Sequence, residues 1–393
     1  MLSPEHRAIV RATVPLLETG SEVLARHFYR TLLAENPQVR AYFNPSHQHS
    51  GAQQRALARA VLAYARHIDQ LDVLADLVRV IVCKHVAMQV PASLYPVVGA
   101  TLLRSIREVL GHEVATDAVL DAWGAAYGQL AALLVEEERK IYDSVAKKPG
   151  GWRGARQFVV VAKTRESSEV TSLTFAPDDN GPVMLHEPGQ HIGLRVDIDG
   201  VETRRNYAIS SLTNGSTYRI SVKRQPGGVV SGYLHDRVNL GDTLELFPPS
   251  GDFVLQSSGR PLVLISGGIG ITATLPMLES ALAEQRPVHF IHAARHACAH
   301  AFRIDVEMLA SEHAHLKHYT CYELHDQPDN PPDATGLVDS ALLAAWMPAT
   351  RDVDVYVLGP IAFMKAMKAG MDELGIPAER TRYGFYGPAT ALD

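Results

Sequence analysis

The chain is poor in cysteine. Cys83, Cys298 and Cys321 are the only ones in 393 residues, and none has a C-x-x-C partner. They are expected as free thiols, which fits a reducing, cytoplasmic compartment. A positive charge excess is also missing. Lys and Arg number 37 against 43 Asp and Glu, for a net charge of -6. Nothing in that balance favours nucleic acid or an anionic membrane surface. The opening MLSPEHRAIVRA has no basic segment followed by an apolar one, so no secretory leader is expected. No apolar run approaches the roughly 18 residues of a membrane span. Internal repeats and low-complexity tracts are absent as well.

What is present is an ordinary globular composition, 46% hydrophobic and 20% charged. At about 100–200 residues per domain the length suggests two or three domains. The hydrophobic period changes twice along the chain. Residues 1–146 read as helices throughout. Ser3-Pro4 is an N-cap followed by Pro at the first helical position, and Asn36-Pro37 stops a helix carrying Leu24, Phe28 and Leu32. A long helix over 117–142 places Leu120, Trp123, Tyr127, Leu130, Leu134 and Ile141 on one stripe. Residues 147–152, with paired glycines after a proline, mark a linker. From 153 to 257 the period is two. Short strands separated by Asp199-Gly200 and Asn214-Gly215 predict hairpins and a small antiparallel β-barrel. From 258 to 393 apolar strands alternate with helices, which predicts an α/β domain on a parallel sheet.

Several side chains do not fit those patterns. His85 stands in the largely apolar IVCKHVAMQV. Glu138 falls on the apolar stripe of the long helix, four residues after Leu134, where an unpaired carboxylate would be costly. Either it leaves the core at that point or it pairs with a buried polar group, for which Tyr95 and His85 are the candidates. Tyr29 sits on an inward face and its hydroxyl needs a partner. Gln53 and Leu57 lie one turn apart, suiting the polar and steric sides of a ligand pocket. An all-α domain of this size with one candidate axial histidine suits haem. In the barrel, Arg205 can clamp a phosphate and Tyr207 can lie against a ring. Gly227 and Gly228 precede a helix start whose N–H groups suit a pyrophosphate, with Ser231 adding a hydroxyl. Further on, LISGGIGITATLPML runs from strand through glycine turn to helix. Gly268, Gly270 and Ala273 there fit G-x-G-x-x-A, a dinucleotide signature.

Taken together, HFYRTLLAENP, YFN, AQQRAL, KHVAMQV, LDAWGAAYG and KIY, followed by two reductase-like domains, resemble the bacterial flavohaemoglobins from the first residue to about Pro388. The resemblance implies a globin domain over 1–146, an FAD-binding barrel over 153–257 and an NAD(P)-binding domain over 258–393. It implies His85 as the proximal ligand of haem b iron, with Lys84 beside it and Tyr95 and Glu138 hydrogen-bonding it. Tyr29 would be the distal tyrosine, Phe43 the ring packed on the haem, and Gln53 and Leu57 would complete the distal wall. Arg205, Asn206, Tyr207 and Ala208 match a flavin motif, Gly228, Val230 and Ser231 the flavin phosphate segment, and His191 a flavin-contacting place. The turn Gly268, Ile269, Gly270, Ile271, Thr272 and Ala273 would take the nicotinamide dinucleotide. Phe385, Tyr386, Gly387 and Pro388 belong to the segment that covers the flavin. The chain departs from the family at Ala208, where Ser is usual, at Leu358, where Cys is usual, and at Gly384, where an acidic residue is usual.

The activity implied is nitric oxide dioxygenase, with O2, nitric oxide and NAD(P)H as substrates and electrons passing from NAD(P)H to FAD to haem. Two alternatives stay open: a flavohaem reductase for another acceptor, and an oxygen store or sensor. NADH is the expected reductant. Arg295, directly after the strand VHFIHAA and followed by no carboxylate, leads to the expectation that NADPH is tolerated. A monomer is expected, and a lipid or other apolar ligand in the distal pocket is left open.

Overall fold

The computed structural model describes residues 2–43, 51–325, 331–387 and 392. Its contacts divide the chain into two units. The first holds the residues up to Lys147 together with Asp199–Arg205 and Gly387; the second holds Lys148–Ile198 and Asn206–Tyr386.

The first unit is helical. Its first helix, Pro4–Ala12, starts as its sequence requires: Ser3 Oγ accepts the His6 N–H at 3.1 Å, and proline occupies the first turn. The next helix, Val14–Glu35, ends at Asn36, whose side chain caps the Leu32 carbonyl at 3.1 Å. Helices Ala52–Arg66, Ala75–Met88, Leu94–Val114 and Asp117–Lys147 follow. The last of these is long and apolar enough to cross a membrane by length and composition, which corrects the expectation that no segment would be. Its stripe packs inside the unit, where Trp123, Ala126 and Leu134 are buried. The core joins Leu24, Phe28, Leu32, Tyr64, Ile106 and Trp123.

Beyond Lys147 the chain forms two sheets. The first is antiparallel, in the order β4-β3-β6-β1-β2-β5. The strands are β1 Arg156–Arg165, β2 Val170–Pro177, β3 His191–Ile198, β4 Val201–Ala208, β5 Tyr218–Lys223 and β6 Thr243–Leu246. Asp199 and Gly200 take φ of 54° and 82° and turn β3 into β4. Asn214-Gly215 is a turn as well, with the Asn214 carboxamide accepting the Ser216 and Thr217 N–H groups. It does not make a ladder hairpin, because β4 and β5 lie at opposite ends of the sheet. A single bridge, Ile209 to Ile220, brings the two ends together. Alternate residues fill the interior, among them Phe158, Phe175, Leu194, Tyr218 and Leu246.

The second sheet is parallel, in the order β10-β9-β8-β7-β11-β12. It comprises β7 Leu262–Gly267, β8 Val288–Ala294, β9 Leu316–Tyr322, β10 Ala334–Thr335, β11 Asp354–Leu358 and β12 Thr381–Gly384. β7 and β11 are buried along their whole length, as strands covered on both faces must be. The chain passes outward from β7 to β8 and β9, then returns to β11 on the other side. The reversal beside β7 is the place where an open α/β sheet binds its ligand, outside the carboxyl ends of the strands. None of the three cysteines is in a disulfide.

Candidate functional site

In the helical unit the anomalous residues meet. Glu138 is 2% exposed. His85 Nδ1 lies 2.8 Å from Glu138 Oε1 and 2.9 Å from the Tyr95 hydroxyl, and that hydroxyl donates to the same carboxylate oxygen. Burial, and then the bond to Glu138, push the Tyr95 phenol far above its ordinary range, so it remains a donor. With a carboxylate facing Nδ1, the proton belongs on that nitrogen and Nε2 keeps its lone pair. Tyr127, from the same stripe as Glu138, donates to the Tyr95 carbonyl at 2.7 Å and fixes the start of that helix. A hydrogen-bonded imidazole with its second nitrogen free is how a protein orients a metal-ligating histidine. The His85 side chain is one-third exposed although its neighbours Val86 and Ala87 are buried. These residues fit a haem ligand.

Tyr29 is buried, edge-on to Phe28 at 5.1 Å and to Phe43 at 5.7 Å between ring centres. Burial raises its phenol above the usual range, so it too stays protonated. Leu57 is half-buried and packs on the same core as Phe43, and Gln53 is half-buried one turn before it. Lys84 is exposed and donates to the Gly387 carbonyl within the first unit.

On the barrel, Arg205 is half-buried and donates to the Arg204 carbonyl at 2.6 Å. Asn206 is exposed, Tyr207 packs against the barrel core and Ala208 is buried. Gly228 precedes the helix Val229–Asp236. Its Cα faces Ser231 so closely that a Cβ would stand 2.5 Å from Ser231 Oγ. Ser231 accepts the Gln225 N–H at 3.1 Å and, with Val230, is buried. The helix start is thereby held ready with its free N–H groups, which suits a phosphate. His191 lies 3.3 Å from the Ser250 hydroxyl.

The glycine turn after β7 is built for close approach. Gly268 has φ of 53°, and a Cβ on Gly270 would sit 2.0 Å from the Leu358 carbonyl oxygen. Ile271, Thr272 and Ala273 open the helix Ile271–Ala283 and are fully buried. Tyr386 ties the C-terminal tail to this turn, donating to the Ile269 carbonyl at 2.9 Å and lying 3.2 Å from the Thr272 hydroxyl. Phe385 is half-buried against the far side of the sheet. Pro388 lies outside the described residues.

The three positions expected to depart from the family lie in one place. Ala208, Ala273, Leu358 and Phe253 form one apolar cluster. A Cβ on Gly384 would meet Leu358 Cδ1 at 2.8 Å and the Phe253 ring at 3.0 Å. The Leu358 side chain thus lies where a side chain at 384 would stand.

Arg295 follows β8 as expected, but it is not alone. It pairs with Glu169, which also holds Lys223 at 2.8 Å. Sequence reasoning missed Glu169, which sits in the β1–β2 connection over a hundred residues away.

A hydrogen-bonded histidine in a helical unit, a helix start on the barrel and a glycine turn after β7 fit an oxidoreductase that carries haem, FAD and a nicotinamide nucleotide. Three family models match in the same order: Globin over 26–134, Oxidoreductase FAD-binding domain over 157–255 and Oxidoreductase NAD-binding domain over 264–369. A flavohemoprotein of Burkholderia sp. is 57% identical over the full length of both chains. The flavohemoglobin of Malassezia yamatoensis, solved with FAD and haem, superposes with a TM-score of 0.84 at 25% identity, covering 98% of this chain and all of that one. The FAD/NAD-binding part of a Vibrio cholerae nitric oxide dioxygenase is 34% identical, with a TM-score of 0.55, covering 59% of this chain and 98% of that one. The chain belongs to the flavohemoproteins.

Proposed function

We propose that the chain is an NAD(P)H-dependent nitric oxide dioxygenase, combining O2, nitric oxide and one electron into nitrate at each turnover. The observation that carries this reading is the buried Glu138 carboxylate on His85 Nδ1. When bound, haem would supply oxygen binding and activation, and FAD would divide a hydride into single electrons.

The chain's own residues do the rest. His85 offers Nε2 to the iron. Glu138 accepts from its other nitrogen and makes the imidazole a stronger donor, which suits chemistry on oxygen more than reversible storage. Tyr95, unable to ionise, keeps that carboxylate in place. Tyr29 presents a neutral hydroxyl donor from a dry wall, with Gln53 beside Leu57 on the next helix. Arg205, Tyr207 and the Gly228–Ser231 turn hold the flavin, helped by His191, and the Gly268–Ala273 turn takes the nucleotide pyrophosphate. The attached reductase domains argue against a store, which needs no reductant in equal amount. The nitric oxide dioxygenase name of the Vibrio cholerae neighbour supports the same reading.

The test counts products. Protein loaded with haem and FAD receives NADH, O2 and nitric oxide, and nitrate is measured against NADH consumed. Two nitrates per NADH are expected, since a hydride carries two electrons. NADH oxidation without nitrate would make the chain a reductase for another acceptor; oxygen binding without NADH oxidation would make it a store.

A further inference from the structure

In a dinucleotide domain, the side chain just beyond the second strand meets the ribose 2′ position. A carboxylate there bonds the hydroxyl of NADH, and an arginine accommodates the phosphate of NADPH. The chain places Arg295 at the end of β8, and no carboxylate follows before the next helix. By its own sequence this strand end should therefore take NADPH well.

The fold changes that balance. The connection between β1 and β2 of the barrel sheet is fastened to the loop that follows β8, with the Ser168 N–H donating to the Cys298 carbonyl at 2.8 Å. This brings Glu169 against Arg295. The Glu169 backbone is fixed on both sides: its carbonyl accepts the Arg224 N–H at 2.8 Å, and its N–H donates to Ser167 Oγ at 3.3 Å. Its carboxylate is only 18% exposed and is shared by Arg295 and by Lys223 at 2.8 Å. Arg295 itself is 56% exposed and faces solvent beside this pair.

We infer that Glu169, supplied by the barrel sheet, is the acidic residue that selects NADH over NADPH in this chain. It stands where the nucleotide-binding domain lacks a carboxylate of its own. It engages the guanidinium that would otherwise receive a 2′-phosphate, and it repels that phosphate directly. Arg295 and Lys223 hold the Glu169 carboxylate in place. The inference rests on NAD(P)H as the reductant and does not involve nitric oxide, so its test does not depend on the nitrate reaction.

The experiment uses the protein loaded with haem and FAD. Binding of 2′,5′-ADP and of 5′-AMP is measured by calorimetry, and flavin reduction by NADPH and by NADH is followed anaerobically. Glu169→Gln should tighten 2′,5′-ADP roughly fivefold or more, the effect of one nearby charge in a wet site, and leave 5′-AMP unchanged. The NADPH to NADH ratio for flavin reduction should rise by the same factor. Arg295→Ala should weaken 2′,5′-ADP in both backgrounds. If Glu169→Gln fails to fold, Glu169→Asp decides: drawing the carboxylate back by one methylene should raise the same NADPH to NADH ratio, and an unchanged ratio would overturn the assignment. Unchanged discrimination between the two probes, or an equal change for both, would overturn the assignment.

Discussion

The helical unit and the nucleotide-binding turn solve opposite problems. Around His85 the chain buries charge and satisfies it: one carboxylate, one phenol and one imidazole converge within 2.9 Å. Around Gly270 it removes side chains, so that backbone meets backbone and Ala208, Ala273 and Leu358 close the space with apolar contacts. Polar substitutions should therefore damage the first site and steric ones the second. Neither kind of change should cross over.

The largest expected effect tests that separation. His85→Ala should abolish stable haem incorporation, read from the Soret band, while NADH still reduces the flavin at the normal rate. A variant with full haem content and an unaltered spectrum would remove His85 from the axial position. The steric counterpart is Gly270→Ala. Its methyl group would meet the Leu358 carbonyl at 2.0 Å, and the turn must move. Displacement on that scale should slow anaerobic flavin reduction by NADH about a hundredfold and leave the Soret band intact. Unchanged reduction would show that the turn yields without cost.

A smaller effect is expected at Tyr29. Tyr29→Phe removes one hydrogen bond, a contact of about 1–2 kcal/mol, so the oxygen off-rate should rise about 5- to 30-fold by flash photolysis. An unchanged off-rate would place its hydroxyl elsewhere.

The contrast is sharpened by two buried imidazoles in the parallel-sheet domain. His292 and His300 lie 4.2 Å apart between ring centres, bonded through Nδ1 to Ser266 and Tyr322. Among the described residues, neither Nε2 has a partner. Among the described residues, unlike His85, neither ring is hydrogen-bonded to a carboxylate, and burial lowers His292 from 6.5 to about 3. Because the folded value is depressed, the unfolded chain takes up the proton first. Stability should be full above about pH 6.5 and should fall as the pH drops from there toward 3. His292→Phe should flatten that part of the melting-temperature profile; a profile identical to the parent would show the loss arises elsewhere.

How much of this was legible depended on range. Helix starts and stops, the period change near residue 150 and the G-x-G-x-x-A turn are local patterns, and they appear in the fold at those places. Glu138 was conspicuous because a carboxylate on an apolar stripe needs a partner. The strand β6 was missed because Thr243–Leu246 is too short to show a period. The Asn214-Gly215 turn was legible as a turn but not in its pairing, since closure of the barrel depends on strands distant in sequence. Glu169 was invisible for the same reason. Its relation to Arg295 exists only once two sheets are docked side by side within one unit. The departures at Ala208, Leu358 and Gly384 were each readable alone, but only the fold shows Leu358 packed against both of the others.

The central claim is that Glu138 acts on the iron through His85 instead of merely filling the core. Glu138→Gln keeps the shape and removes the charge. Resonance Raman spectroscopy of the ferrous protein, paired with nitrate turnover, tests it directly. The Fe–His stretch should shift to lower frequency and turnover should fall about 10- to 100-fold, with flavin reduction by NADH unchanged. An unshifted stretch with undiminished turnover would contradict the account.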